Sequence, residues 1–131
     1  MFTAVGVGEV TAAEAEFAAL CASLDPGSVP MGDATAVYES LVRVEKLAAG
    51  AKVRMAGRVA AAGEWRRRGH RQPAELLAGL SGTSVGAAVS ELATSQRLAE
   101  LAPTEDALRR GELSASQAAA VADAASADPA R

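Results

Sequence analysis

The apolar residues of this 131-residue chain recur every three or four positions along most of its length, a spacing that predicts α-helices. The first predicted helix runs from Thr11 to Leu24, with Phe17, Leu20 and Cys21 on one face. Asp25-Pro26-Gly27 ends it. No run of alternating β-branched or aromatic residues predicts a strand.

The longest predicted helix runs from Asp33 to about Ala62, which would span about 40 Å at the standard rise. Small and apolar residues step along it by fours and threes, as in a coiled-coil seam, with Arg58 as the one polar interruption. This seam consists of Val37, Leu41, Val44, Ala48, Ala51, Met55 and Ala62. The helix is predicted to be either a centre around which others pack or a dimerisation surface, and its first six seam residues are the candidate interface.

Four shorter helices complete the predicted fold. Gly63 ends the long helix, a short helix follows from Gln72-Pro73 to about Gly79, and Ser81 or Thr83 is predicted to cap the next, which runs to about Glu100. The prediction is an all-α fold of about six helices, with one long central helix and the shorter ones packed around it. Residues 1–10 are predicted to be loose, 11–127 to form a single helical domain, and 128–131 to be a tail.

The last two helices carry the clearest boundary signals. Pro103 suits a first helical turn, and Gly111 permits a left-handed stop. Ser114 and Gln117 have the spacing of a capping box.

The sequence pattern of this region is distinctive: residues 107–118 read Ala-Leu-x-x-Gly-Glu-Leu-Ser-x-x-Gln-Ala. Upstream, in order, stand Trp65, Gly69-His70-Arg71, Ala74 to Ala78, Ala87-Ala88-Val89-x-x-Leu92-Ala93, Leu98 and Leu101. Together, over residues 37–127, these resemble the DUF222 domain, also called the 13E12 repeat family, found ahead of HNH endonuclease domains in actinobacteria. The chain departs from that pattern in having no aromatic on the helix that holds Leu76 and Leu77.

The resemblance implies a helical accessory domain of an HNH-endonuclease-like protein. An HNH nuclease needs a histidine base and further ligands around one metal ion, and this chain has a single histidine, His70. The resemblance therefore places the nuclease motif beyond Arg131 in a longer parent, or implies that it is absent. No catalytic residue, metal site, cofactor or small-molecule substrate is predicted within the chain, and whether a longer parent is an enzyme stays open.

Composition indicates the kind of core. Half of the residues are apolar, but only four are aromatic and 33 are alanine, so we expect closely packed helices with Ala, Val and Leu between them. Arginine far exceeds lysine, which is consistent with a GC-rich, actinobacterial genome. The lone cysteine, Cys21, is expected to be a small buried thiol. The sequence predicts neither a signal peptide nor a membrane span, and thus a cytoplasmic protein.

The net charge of −3 hides a strong partition: −6 over residues 1–42, +7 over 43–71 and −4 over 72–131. The positive block centres on a basic corner after the long helix, where guanidinium groups could bind phosphates and an indole could stack on a base. The candidate nucleic-acid-binding residues are Arg58, Trp65, Arg66, Arg67, Arg68, His70 and Arg71. The alternative is that Trp65 anchors the corner in the core and that the arginines pair with nearby acids.

Ala78, Gly79, Leu80 and Val85 have the spacing of a helix-turn-helix, but the following helix offers no base before Arg97, which favours an ordinary corner between two helices. Two functions remain predicted. The first is a non-catalytic accessory domain that contacts DNA through the basic corner. The second is a dimerisation or protein-interaction module that uses the helix at 33–62.

Overall fold

The computed structural model describes residues 4–127, and in this part of the chain all regular structure is helical. The seven α-helices are α1 (Val7–Ser23), α2 (Ala34–Ala62), α3 (Glu64–Arg67), α4 (Pro73–Ser81), α5 (Val85–Arg97), α6 (Ala102–Arg109) and α7 (Ala115–Ala127). Short 3-10 turns lie at Pro26–Ser28, Met31–Asp33 and Leu98–Glu100. The predicted all-α class and the single long helix are confirmed, and the predicted tail at 128–131 lies outside the described residues.

The chain divides into two compact units, one ending at Val37 and the other beginning at Tyr38. In the first unit, α1 begins at Val7, inside the region predicted to be loose, because the Gly6 amide donates to the Glu9 carboxylate over 2.6 Å. The Thr11 hydroxyl also bonds back to the Val7 carbonyl. No residue of α1 is buried, so the expectation of a buried Cys21 is wrong: its thiol is exposed.

The second unit is held by two apolar clusters, each of which includes residues of α2. One joins Ala56 of α2 to α4 and α5, and its buried members are Ala56, Ala74, Leu77, Ala78 and Ala88. The other joins Val53 of α2 to the last three helical segments, and its buried members are Val53, Leu98, Leu108 and Ala118. Alanine makes up more than half of these nine residues, as the composition predicts.

The face of α2 that packs against its neighbours carries Gly50, Val53 and Ala56. Gly50 lies tightly against α6: a methyl group placed on Gly50 would lie 2.9 Å from the carbonyl oxygen of Leu108 and 3.0 Å from its Cγ. Leu108 is completely buried and is the largest such side chain among the described residues. The absence of a side chain at Gly50 therefore lets α6 approach α2 this closely.

The predicted seam is not this packed face. Ala48, Ala51, Met55 and Ala62 are exposed, and Val37, Leu41 and Val44 are half-buried. At 3.6 residues per turn, the seam is centred about 160° around α2 from the Gly50–Ala56 face. The long helix is thus central to the second unit through one face, while the heptad-like seam points away from both apolar clusters.

Local signals set most helix boundaries. Ser114 and Gln117 form the predicted capping box, with bonds of 3.1 and 2.8 Å, and Gly111 ends α6 with φ at 74°. The expected cap of α5 at Ser81 or Thr83 is wrong. Ser84 serves instead, its Oγ accepting from the Ala87 amide at 3.0 Å, because α4 continues to Ser81 and ends at Gly82.

The two segments Pro73–Ser81 and Val85–Glu100 meet at 112°, which makes the predicted corner. The helix-turn-helix spacing does not hold, because the left-handed turn glycine is Gly82 while Gly79 lies within α4, and Leu80 is 67% exposed. No single described helix is long and apolar enough to span a membrane. The two helices of this bent pair together have the length and apolar composition of a span, but they are bent by 112°.

Replacing Gly50 by alanine should destabilise the second unit by about 1–3 kcal/mol, because the new methyl group would overlap Leu108. The matched control is Gly79→Ala, where the added methyl meets open space within α4 and should stabilise the chain by about 0.5–1 kcal/mol. Denaturant unfolding followed by circular dichroism measures both. Equal stabilities for the parent and Gly50→Ala would contradict the close approach of α6.

Candidate nucleic-acid and helix-pairing surfaces

The basic corner is a single helical turn between two glycines in the left-handed region. Gly63 ends α2 with φ at 77°, and Gly69 follows α3 with φ at 85°. Between them the Arg68 amide donates to the Glu64 carbonyl at 3.0 Å, and directly after Gly69 the His70 amide donates to the Trp65 carbonyl at 2.9 Å. The corner is therefore held by its own backbone and presents its side chains from a fixed turn.

Trp65 is half-buried, and its polar edge is used within the chain. Its Nε1–H donates to the carbonyl of Ala60 at 2.9 Å, which links α3 to the last turn of α2. The guanidinium of Arg66 lies over the indole, 4.7 Å from the ring centroid, in a cation–π arrangement. This geometry favours the interpretation of Trp65 as an anchor of the corner.

Two of the corner's arginines are paired with one carboxylate. Arg67 Nη2 lies 3.1 Å from Glu64 Oε1, and Arg68 Nη2 lies 2.8 Å from Glu64 Oε2. The hydrogen bonds from Arg67 and Arg68, with their positive charges, lower the pKa of Glu64 below its ordinary value. All three groups are on the surface, so solvent screens their attraction.

His70 and Arg71 face the start of α4. His70 Nδ1 lies 3.9 Å from Glu75 Oε1, and the backbone amide of Arg71 donates to the same oxygen at 2.6 Å. Glu75 thus fixes the entry into α4. Within the described part of the chain, no group of three or more His, Cys, Asp or Glu residues is placed to bind a metal ion.

The remaining cations of the corner are exposed. Among the described residues, no carboxylate lies within 4.0 Å of the side-chain nitrogens of Arg58, Arg66 or Arg71. These three, with the paired Arg67 and Arg68, make up the positive charge that the sequence assigned to a nucleic-acid contact.

The other candidate surface is the outward seam of α2. Within the second unit it consists of Leu41, Val44, Ala48, Ala51 and Met55. Leu41 and Val44 are half-buried, whereas Ala48 and Ala51 are exposed and Met55 is 55% exposed. Within the described chain, Arg54 and Arg58 line one edge of this seam without a carboxylate inside salt-bridge distance, whereas Arg43 lies beside Gly111, with its Cγ 3.7 Å from where a methyl group on that glycine would stand. The other edge carries the exposed Glu45 and Lys52, and Lys52 is paired with Glu91 at 3.1 Å.

Leu47 adjoins the seam and was not among the predicted interface residues. It is 40% exposed, and the rest of it packs toward Gly111, where an added methyl would lie 3.0 Å from its Cδ2. No spacing argument would have selected Leu47, because it falls between the seam and the packed face.

Comparison with known proteins finds no match for the chain among family models, curated proteins or solved structures. The structure itself defines the class, an all-α protein built on one long helix. The DUF222 resemblance stays a prediction.

Replacing both Arg67 and Arg68 by alanine should raise the pKa of Glu64 toward its ordinary value. In the parent, the attraction is present above the ordinary glutamate pKa and is lost as the pH falls through the lowered one. Carboxyl ¹³C NMR titration of parent and variant measures the shift. Glu112, whose pKa is lowered by a hydrogen bond from Arg110, is the internal control and should titrate unchanged. Identical Glu64 titrations in both proteins would contradict the pairing.

Proposed function

We propose that the chain is a non-catalytic helical module that self-associates through the outward seam of α2. The observation that carries this proposal is the position of the seam, about 160° around the helix from the face that packs the second unit. A long helix that buries one face in its own domain and keeps a second apolar face outside has a surface available for another helix.

The composition of the seam suits helix pairing. Alanines at 48 and 51 allow two helix axes to approach closely, and the larger Leu41, Val44 and Met55 can fill the spaces beside them. Covering Met55 would remove apolar area from water at about 25 cal/mol per Å². The adjacent free arginines would then restrict the partner to a helix of opposite charge.

A second candidate function is contact with nucleic acid at the basic corner. It is favoured by Arg58, Arg66 and Arg71, which are exposed and have no carboxylate partner in the described chain. It is weakened by Glu64, which already binds Arg67 and Arg68. In this proposal the chain is the accessory domain of an HNH-endonuclease-like protein, as the DUF222 resemblance implies.

Replacing Ala48 by glutamate should weaken self-association about tenfold or more, because association would bury an unpaired charge. Sedimentation equilibrium over a range of concentrations measures the dissociation constant. Ala120→Glu places the same charge at an exposed position of α7 and should leave association unchanged. Thermal unfolding checks that both variants fold. A parent that stays monomeric at the highest concentration would refute the proposal.

For the second candidate, replacing Arg58, Arg66 and Arg71 by alanine should weaken duplex DNA binding. The dependence of the logarithm of the binding constant on the logarithm of the salt concentration should become shallower by about one for each phosphate that no longer pairs with an arginine. Glu64→Gln should act in the opposite direction, because it removes the carboxylate that competes for Arg67 and Arg68. Fluorescence anisotropy with labelled duplex at several salt concentrations measures both. Equal binding by all three proteins, or no binding by the parent, excludes this contact.

A further inference from the structure

We propose that the partner helix on the outward seam is α1 of a second copy of the chain, so that two copies exchange their N-terminal helices. This inference rests on the proposed self-association and names the surface that meets the seam. It follows from three features: an apolar helix with no buried residue, opposite charges on the two surfaces, and matched lengths.

The first feature is the exposure of α1. Its apolar residues lie at helical spacing along one side, yet no residue of the helix is buried. Val10 is 61% exposed and Leu20 is 51% exposed. The complete stripe is Val10, Ala13, Phe17, Leu20, Cys21 and Leu24. A helix with such a stripe normally gains its stability by packing that side against another element.

The second feature is charge. The chain up to Val37 carries five acidic side chains and no basic one. Three of the acids, Glu9, Glu14 and Glu16, flank the apolar stripe of α1. The free arginines at 54 and 58 flank one edge of the seam of α2, so α1 packed there would bring its acids beside them around an apolar centre.

The same charges disfavour the simplest alternative, a symmetric pairing of α2 with α2. In an antiparallel pair, a two-fold axis would place the arginine edge of one seam beside the arginine edge of its partner, and like charges at such distances repel. An acidic helix neutralises this edge instead. Exchange of α1 between two copies also closes the assembly, because each chain supplies one helix and one seam.

The third feature is fit. The stripe from Val10 to Leu24 and the seam from Leu41 to Met55 each cover fourteen residue steps, about 21 Å. With the two helices running parallel and Val10 opposite Leu41, the bulky Phe17 and Leu20 of α1 would face the small Ala48 and Ala51 in the middle of the seam. Large residues against small ones are the arrangement that lets helices interlock.

Disulfide trapping tests the exchange, since Cys21 is the only cysteine and is exposed in the α1 stripe. A tagged parent chain is mixed with an untagged variant that carries Cys21→Ser and Ala51→Cys, under mild oxidation with diamide. A disulfide forms only where two Cβ atoms come within about 4.5 Å, so it reports direct contact. The expected product is a mixed, tagged–untagged dimer, at twice the 13.2 kDa chain mass plus the mass of one tag, in excess over either homodimer. A variant with Cys21→Ser and Ala120→Cys is the matched control and should give no such product.

The other outcomes separate this inference from the proposed function. A dimer of the Ala51→Cys variant with itself, in excess over the mixed dimer, would overturn the α1 exchange and leave self-association through the seam intact. An excess of dimers linked through Cys21 on both chains would also overturn the exchange. Monomers by sedimentation with no crosslink would end both proposals.

A chain that carries Ala51→Cys and keeps Cys21 covers the remaining case, in which α1 packs on the seam of its own chain. The exchange predicts that oxidation of this chain gives covalent dimers. A disulfide confined to single chains would overturn the exchange.

Discussion

The second unit depends on how closely α6 approaches α2, and that approach depends on the missing side chain at Gly50. Leu108 lies over this gap, with its backbone oxygen 2.9 Å and its Cγ 3.0 Å from where a Cβ on Gly50 would stand, and it is fully buried there. Leu108 is packed there with Val53, Leu98 and Ala118, and more than half of the buried residues in the two clusters are alanines. Distances between helix axes in such a core are set by backbones as much as by side chains, which makes single methyl groups decisive.

The two sequence interpretations of α2, central helix or pairing surface, describe different faces of the same helix. The face at 50, 53 and 56 organises the domain, and the seam at 48, 51 and 55 looks outward. The candidate surfaces are also continuous: Arg58 belongs both to the edge of the seam and to the approach of the basic corner. Glu64 restrains the corner by occupying two arginines, so its positive character toward a ligand resides mainly in Arg58, Arg66 and Arg71.

What the sequence predicts well is local. The Ser114–Gln117 box and the Gly111 stop need only neighbouring residues, and both are present as expected. The choice of packed face on α2 was not predictable from periodicity, because Gly50 and Ala56 carry no more apolar signal than Ala48 and Ala51. Only the three-dimensional fit of Leu108 distinguishes them. At the corner, residue types suggested phosphate binding, but the bond from Trp65 to Ala60 and the double pairing of Glu64 depend on the turn geometry of α3.

The alanine-rich clusters also have a thermal consequence. The heat capacity change of unfolding grows with the apolar surface that unfolding exposes, and small side chains expose little of it. A core whose largest fully enclosed side chain is one leucine should therefore give a shallow stability curve, with folding free energy that varies gently between cold and warm conditions. The folding stability of such a domain would come from close backbone packing and helix capping more than from the burial of apolar surface.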